Sequence, residues 1–401
     1  MGWNFARQAA RCCDTWVICE QHKWSDGIRK YLDTNGQIAG LRFVFVPEKA
    51  WAALAWRIPG AGYLSYNLWH RRALGVARQL HEQVGFDLAH QVNVLGFREP
   101  GYLWKIGVPL IWGPVGGTQN YPWRFLPEAG LRGALSEATR SAANRLQLRF
   151  SRRVRRAARR AAVLMAANST VQRHLADAHN VKPTLMLDIG VTEMAETPPS
   201  IRAGHNGLRI LWCGGLEPWK ALPLLIKALA RLPEHVAYDL RIVGDGSMKA
   251  RCRRLARRLG VDHHVTWMGR LTHRRTIEQY SWADVFAFTS LRDTSGTVVL
   301  EAFSVGVPVI CLDHQGAHDM VTDRCGVKIP VTTPREVIDR LSRTVASLAG
   351  DPDRLEKLAA GARIRAREHL WSRRGERLAS VYRSVLGDGF LWERTEELCH
   401  A

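Results

Sequence analysis

Short apolar runs alternate with longer amphipathic stretches along the whole chain. In the first half TWVIC (15–19), LRFVFVP (41–47), FDLAHQV (86–92), VPLIWG (108–113) and AAVLMAAN (161–168) have the length and β-forming content of strands. The second half repeats the pattern more clearly in LRILWCGG (208–215), YDLRIVGDG (238–246), HVTWMG (264–269), DVFAFTS (284–290) and VPVICLD (307–313). Strands that alternate with helices predict parallel α/β architecture. TEMAETPPSIRAGHNG (192–207), rich in Pro, Gly and polar residues, suits a linker. The expectation is two open α/β domains facing a cleft, residues 1–195 and 207–370, followed by a helical segment over 371–401. The chain opens on an amphipathic helix, GWNFARQAARCC, where a doubly wound domain usually opens on a strand.

Composition adds a class and a charge. At 401 residues and 46% hydrophobic content, each domain has enough apolar side chains for a core. No apolar run approaches the roughly 20 residues that cross a bilayer, and the N-terminus lacks the layout of a secretory signal. A cytoplasmic location is expected. The eight cysteines form no CxxC pair, so no metal cage is expected. Lys and Arg exceed Asp and Glu by 57 − 37 = 20, a field that favours nucleic acid, nucleotide diphosphates or an anionic membrane surface. The densest cluster is RLQLRFSRRVRRAARRAA (145–162), where Leu146, Phe150, Val154 and Ala158 recur every fourth residue. On one helix they form one stripe among arginines. Either a membrane-surface helix or a core-facing helix with a basic back has this pattern.

Candidate chemistry gathers in LRDTSGTVVLEAFSVGVPVI (291–310). DVFAFTS reads as a buried strand, and Asp293 follows its carboxyl end, where open α/β sheets place their ligand crevices. Thr294, Ser295, Gly296 and Thr297 supply a turn and a helix start whose free N–H groups favour an anion. Glu301 lies about one turn inside that helix, and a carboxylate can accept from two adjacent hydroxyls of a ribose. In CGGLEPWKALPLLIKAL (213–229), Gly214 and Gly215 allow close backbone approach, and Lys220 can neutralise a diphosphate.

These motifs resemble the GT-B fold glycosyltransferases, specifically the retaining family 4 labelled glycosyl transferase group 1. The resemblance is strongest over 208–331. It implies two Rossmann-like domains around a cleft, with a C-terminal helix crossing back to the first domain. It also implies that Lys220 contacts the diphosphate of a nucleotide diphosphate sugar, Asp293 the transferred sugar, and Glu301 the ribose. Thr294 to Thr297 would present backbone N–H groups, and the base would lie against Gly269. Two positions depart from the family pattern: Gly215 stands where an arginine is frequent, and Asp293 replaces a glutamate. FDLAHQV with GPVGG (113–117) resembles a subgroup in which Gly113, Gly116 and Gly117 line the cleft; His90 is the candidate imidazole there. Relatives usually carry one more strand before the first helix, and its loss would expose two sheet edges.

The resemblance further implies no metal or other cofactor, a hydroxyl acceptor on a glycan or lipid-linked glycan, and attack on the same face from which the diphosphate leaves. The cluster from Arg145 to Arg160 would then meet an anionic membrane surface. Three alternatives stay open: a GT-B nucleotide-sugar epimerase, a catalytically weak nucleotide-sugar binder, and a basic nucleic-acid-binding protein. Against the last, Phe150 is the lone aromatic in the basic cluster.

Overall fold

The computed structural model describes residues 1–48, 61–92, 96–195 and 207–387. Most of the expected linker (196–206) and the last stretch of the expected C-terminal segment (388–401) lie outside the described residues. The first half runs α1 (Gly2–Ala10), β1 (Thr15–Glu20), α2 (Gln21–Asn35), β2 (Leu41–Val46), α3 (Ala61–Val84), β3 (Ala89–Gln91) and β4 (Leu110–Val115). It continues through α4 (Gly130–Phe150), α5 (Arg152–Arg160), β5 (Val163–Ala166), α6 (Ser169–His179) and β6 (Thr184–Leu185). All its strand pairs are parallel, but they fall into two sheets, β1–β2 and β3–β4–β5–β6.

The second half runs β7 (Leu208–Cys213), α7 (Leu222–Leu229), β8 (Tyr238–Val243), α8 (Lys249–Arg258), β9 (Val265–Gly269), α9 (His273–Trp282) and β10 (Val285–Phe288). Then follow α10 (Thr297–Val305), β11 (Val309–Asp313), α11 (Gln315–Met320), β12 (Gly326–Pro330), α12 (Pro334–Gly350), α13 (Pro352–Glu368) and α14 (Trp371–Leu386). Its sheet has the order β12-β11-β10-β7-β8-β9, parallel throughout. Both faces are covered by helices, which explains the near-continuous apolar strands VFAF and VICLD. Chain order reverses between β7 and β10, so a crevice opens at their carboxyl ends.

The predicted strands are all present. β6 and β12 escaped the sequence reading because TL is too short and GVKIP too mixed in polarity to show a period. The stripe predicted over 145–162 does not form on one helix. The chain leaves helical geometry at Ser151 (φ −68°, ψ 104°), whose hydroxyl oxygen accepts from the Val154 N–H and starts α5. Val154 and Ala158 then face the core, while Leu146 and Phe150 on α4 stay 59% and 64% exposed.

The halves interlock. Tyr121, Phe125 and Ala129, just before α4, pack with the core of the second half. Leu187 and Val191 join its other core cluster. In return α14 crosses back, burying Trp371, Leu378 and Tyr382 against Phe5, Ala9, Ile111 and Met165. A bridge from Val191 to Leu370 fastens the crossing.

Candidate functional site

The crevice between β7 and β10 collects the predicted acids and the predicted lysine. The segment Pro218–Lys220 is pinned to the loop after β10: the Leu291 N–H donates to the Trp219 carbonyl (2.8 Å) and the Thr289 hydroxyl to the Lys220 carbonyl (2.8 Å). Thr289 in turn accepts from the Trp212 indole N–H (3.0 Å). This framework points Lys220 Nζ at Asp293 Oδ2, to which it donates, with the Phe288 ring 5.5 Å beneath the ammonium. Glu301, one turn into α10, lies near Cys213 at the end of β7, as Lys220 does. Its Oε2 accepts from the Tyr280 hydroxyl (3.2 Å), and Oε1 lies 4.0 Å from His273 Nδ1. Burial pushes the Glu301 carboxyl above its ordinary range, against smaller opposing effects of His273 and Tyr280. Cys213, at the end of β7, senses both charged residues. Burial and the Glu301 charge push its thiol up to about 11, while Lys220 pulls the other way.

Glycines shape the backbone around this cluster. The Gly214 N–H donates to the Val243 carbonyl (3.0 Å) and the Gly244 N–H to the Gly269 carbonyl (2.7 Å), so the ends of β7, β8 and β9 close together. A Cβ at Gly244 would strike the Gly214 carbonyl. Gly215 is exposed, and a Cβ there would make only ordinary contact with the Glu217 side chain (3.7 Å), so a longer side chain would fit. Gly296 is left-handed (φ 72°) and a Cβ there would meet Phe288 at 2.8 Å, so the turn before α10 needs glycine. Thr294 and Ser295 are held from the first half, by Asn168 Nδ2 donating to the Thr294 carbonyl (2.6 Å) and by the Ser295 hydroxyl donating to the buried Asp188. In the first turn of α10 the Val299 N–H reaches the Gly296 carbonyl (2.9 Å), whereas the amides of Thr297 and Val298 have no intrahelical acceptor.

The GPVGG residues span the end of β4 and the loop that follows it. Gly113 lies inside β4, where a Cβ would strike the Met165 carbonyl, and Gly116 accepts from the Phe97 N–H (3.1 Å). Gly117 (φ 82°) turns the chain, and it is the following Asn120 that reaches the other half, its carbonyl accepting from Gln315 (3.3 Å). His90 bridges Tyr382 Oη and the Gly113 carbonyl, 2.8 Å each. Burial pushes its imidazole down to about 4. Its described contacts tie β3 and β4 to α14 and include none of Lys220, Asp293 or Glu301.

Several residues at the site were missed by the sequence reading. Gln315, buried and at φ 53°, accepts from the Asp293 N–H (2.6 Å) and donates to the Asn120 carbonyl (3.3 Å), linking the acid to the first half. A non-glycine residue held at positive φ is a strain that often marks a functional site. It begins α11, in the loop after β11, so the strand-end rule could have found it. Arg292 forms a two-pronged pair with Glu137 of α4 (2.8 and 2.8 Å), the glutamate side chain 3% exposed. Its guanidinium also lies over the Trp219 ring (4.8 Å). No local signal reveals a partner 155 positions away. Among the described residues no group of three or more His, Cys, Asp or Glu is placed to hold a metal ion.

Residues 194–365 match the family model "Glycosyl transferases group 1". The chain is 33% identical over 181 residues to a GDP-mannose-dependent monoacylated alpha-(1-6)-phosphatidylinositol monomannoside mannosyltransferase of Corynebacterium glutamicum, covering 42% of this chain and 45% of that protein. It is 30% identical over 187 residues to a D-inositol 3-phosphate glycosyltransferase of Streptomyces bingchenggensis, covering 44% and 40%. The chain thus spans less than half the length of these curated relatives. Anabaena HepE, solved with UDP and glucose, superposes with a TM-score of 0.62 at 17% identity over 95% of this chain and 94% of that one. A glycosyltransferase from Rickettsia africae superposes with a TM-score of 0.64 at 14% identity over 96% and 94%. These likenesses show the GT-B fold, two Rossmann-like parallel α/β units with a helix returning to the first.

Proposed function

We propose that the chain is a retaining glycosyltransferase of family 4, GPVGG-containing subgroup, moving a sugar from a nucleotide diphosphate donor to a hydroxyl of a glycan or lipid-linked acceptor. The observation that carries this reading is the convergence of Lys220, Asp293 and Glu301 with the start of α10 at the strand ends of β7 and β10. That convergence lies within the segment matching the group 1 family model. In this state Asp293 neutralises Lys220. An entering diphosphate offers the ammonium a more highly charged partner, and releases Asp293 to accept from hydroxyls of the sugar. Glu301 grips the ribose, and Gly269 receives the base. As the bond from the anomeric carbon to the diphosphate breaks, Lys220 and the α10 amides stabilise the charge on the departing oxygen. The acceptor hydroxyl adds on the same face, and its proton passes to that oxygen. Among relatives, names that print GDP-mannose and inositol lipids support a glycolipid or polysaccharide context.

A membrane-facing surface is part of this reading, moved from the stripe over 145–162 to the outer face of α4. Leu131, Leu135, Leu146 and Phe150 are 93%, 68%, 59% and 64% exposed and share that face, with Arg132, Arg145 and Arg149 among them. The inner face carries Glu137, Ser141 and Asn144. Exposed leucines flanked by arginines suit insertion among anionic headgroups. None of the described helices is long and apolar enough to cross a membrane.

The test is product analysis after incubation with GDP-mannose or UDP-glucose and a bacterial lipid extract. A glycosylated lipid or glycan with retained anomeric configuration supports the reading. An altered nucleotide sugar formed from donor alone would make the chain an epimerase, and no product with any donor would leave a binding protein.

A further inference from the structure

Arg98 reaches Asn144 on the inner face of α4, and Arg140 precedes Asn144 there by one turn. Arg98 donates through Nη2 to Asn144 Oδ1 (3.0 Å) and through Nη1 to the Tyr63 hydroxyl (3.4 Å), and its Nε is buried with no partner. Arg140, one turn before Asn144 on the inner face of α4, donates through Nη1 to the Gln119 carbonyl (3.1 Å). Neither arginine forms an ion pair among the described residues. The nearest acids are engaged elsewhere: Glu99, next to Arg98, turns to Arg153 and Asn67, and Glu137 gives both oxygens to Arg292. Burial, then the nearby charges of Arg292 and Arg98, pull Arg140 down to about 10, against a smaller opposing effect of Glu137, whose oxygens are already taken by Arg292. Half-buried like charges without a counter-ion destabilise one another unless an anion joins them.

The position of this pair relative to the donor side follows from a chain of hydrogen bonds. Asn144 donates to Asn120 Oδ1 (3.0 Å), the Asn120 carbonyl accepts from Gln315 (3.3 Å), and Gln315 accepts from the Asp293 N–H (2.6 Å). We propose that Arg98 and Arg140, flanked by Tyr63 and Asn144, form a phosphate-binding subsite on the acceptor side of the cleft. The acceptor would then carry a phosphate ester, held by forked guanidinium hydrogen bonds while its hydroxyl faces the sugar at Asp293. This deepens the transferase reading and rests on it for the word acceptor; the anion site itself does not.

The test is calorimetric titration of the full chain, saturated first with UDP or GDP so that the donor side is filled. One arm uses inorganic phosphate. The other uses dihexanoyl phosphatidic acid below its micelle concentration, which removes any part played by the outer face of α4. Arg98→Gln and Arg140→Gln are each expected to weaken phosphate about tenfold with nucleotide affinity unchanged, and Arg140→Lys to lose less. Loss confined to inorganic phosphate assigns the site to a soluble phosphorylated acceptor; loss that extends to the lipid assigns it to a lipid-borne one. Absence of phosphate binding in the wild type, or equal affinity in wild type and both glutamine variants, overturns the proposal. If the wild type binds no nucleoside diphosphate, the donor reading fails instead, and titration of the unliganded chain with the same variants still decides the subsite.

Discussion

The two walls of the cleft handle charge in opposite ways. On the wall built by the second half, the two cations at the site each have an acid, Lys220 with Asp293 and Arg292 with Glu137. On the wall built by α4 and the loops beside it, Arg98 and Arg140 rest on neutral oxygens. Paired charges fix geometry before a ligand arrives. Charges satisfied only by neutral groups keep their attraction for one. The difference assigns pre-organisation to the donor wall and recruitment to the other.

The comparison breaks most severely at Glu137, because removing it strands Arg292 in a site only 17% exposed. Glu137→Ala is expected to lower stability by about 3–5 kcal/mol, read by denaturant unfolding. Next, Lys220→Ala should lower kcat by roughly 10²–10³, the range for removing one group that stabilises leaving-group charge, with little change in melting temperature. Glu301→Ala should weaken donor binding by about 10- to 100-fold, the worth of hydrogen bonds to a charged group, measured by calorimetry. Because burial raises the Glu301 carboxyl, its ionised form is lost at a higher pH than an ordinary glutamate. Donor affinity should therefore decline on acidification before pH reaches the usual carboxylate range.

Histidines give a separate pH signature. Burial pushes His70, His90 and His314 down to about 4 and His369 to about 3. Below about pH 6.5 the unfolded chain binds protons that the folded chain refuses, so stability is full above that value and is lost as pH falls toward 4. Melting temperature measured from pH 7.5 to 4.5 should fall monotonically below about 6.5. The smallest effect is expected on the outer face of α4: Leu146→Glu should reduce sedimentation with anionic vesicles while leaving turnover of a soluble acceptor unchanged.

The donor wall was legible in the sequence because local rules suffice there. Apolar strands end in glycine or polar turns, parallel sheets put their crevice at carboxyl ends, and Lys220, Asp293 and Glu301 each lie just past such an end. The opposite wall was not legible. A helix with Leu146 and Phe150 on one face and Ser141 and Asn144 on the other suggests a leucine face turned to a core, yet the structure turns the polar side inward. Tertiary demand overrides the local pattern there, since the inner face meets Arg292, Arg98 and the 118–121 segment. Likewise His90 at a strand end looked like a candidate for chemistry, whereas the packing of α14 against β3 and β4 engages both its nitrogens. The division of the first-half strands into two sheets depends on long-range pairing that no short window records.

The central claim is that the strand-end crevice takes a nucleoside diphosphate by breaking the Lys220–Asp293 pair. A crystal structure with UDP or GDP bound tests it most directly. The account predicts the diphosphate against Lys220 and the first turn of α10, with the ribose hydroxyls on Glu301 and Asp293 freed. A nucleotide bound elsewhere, or bound here with Lys220 still on Asp293, would contradict it.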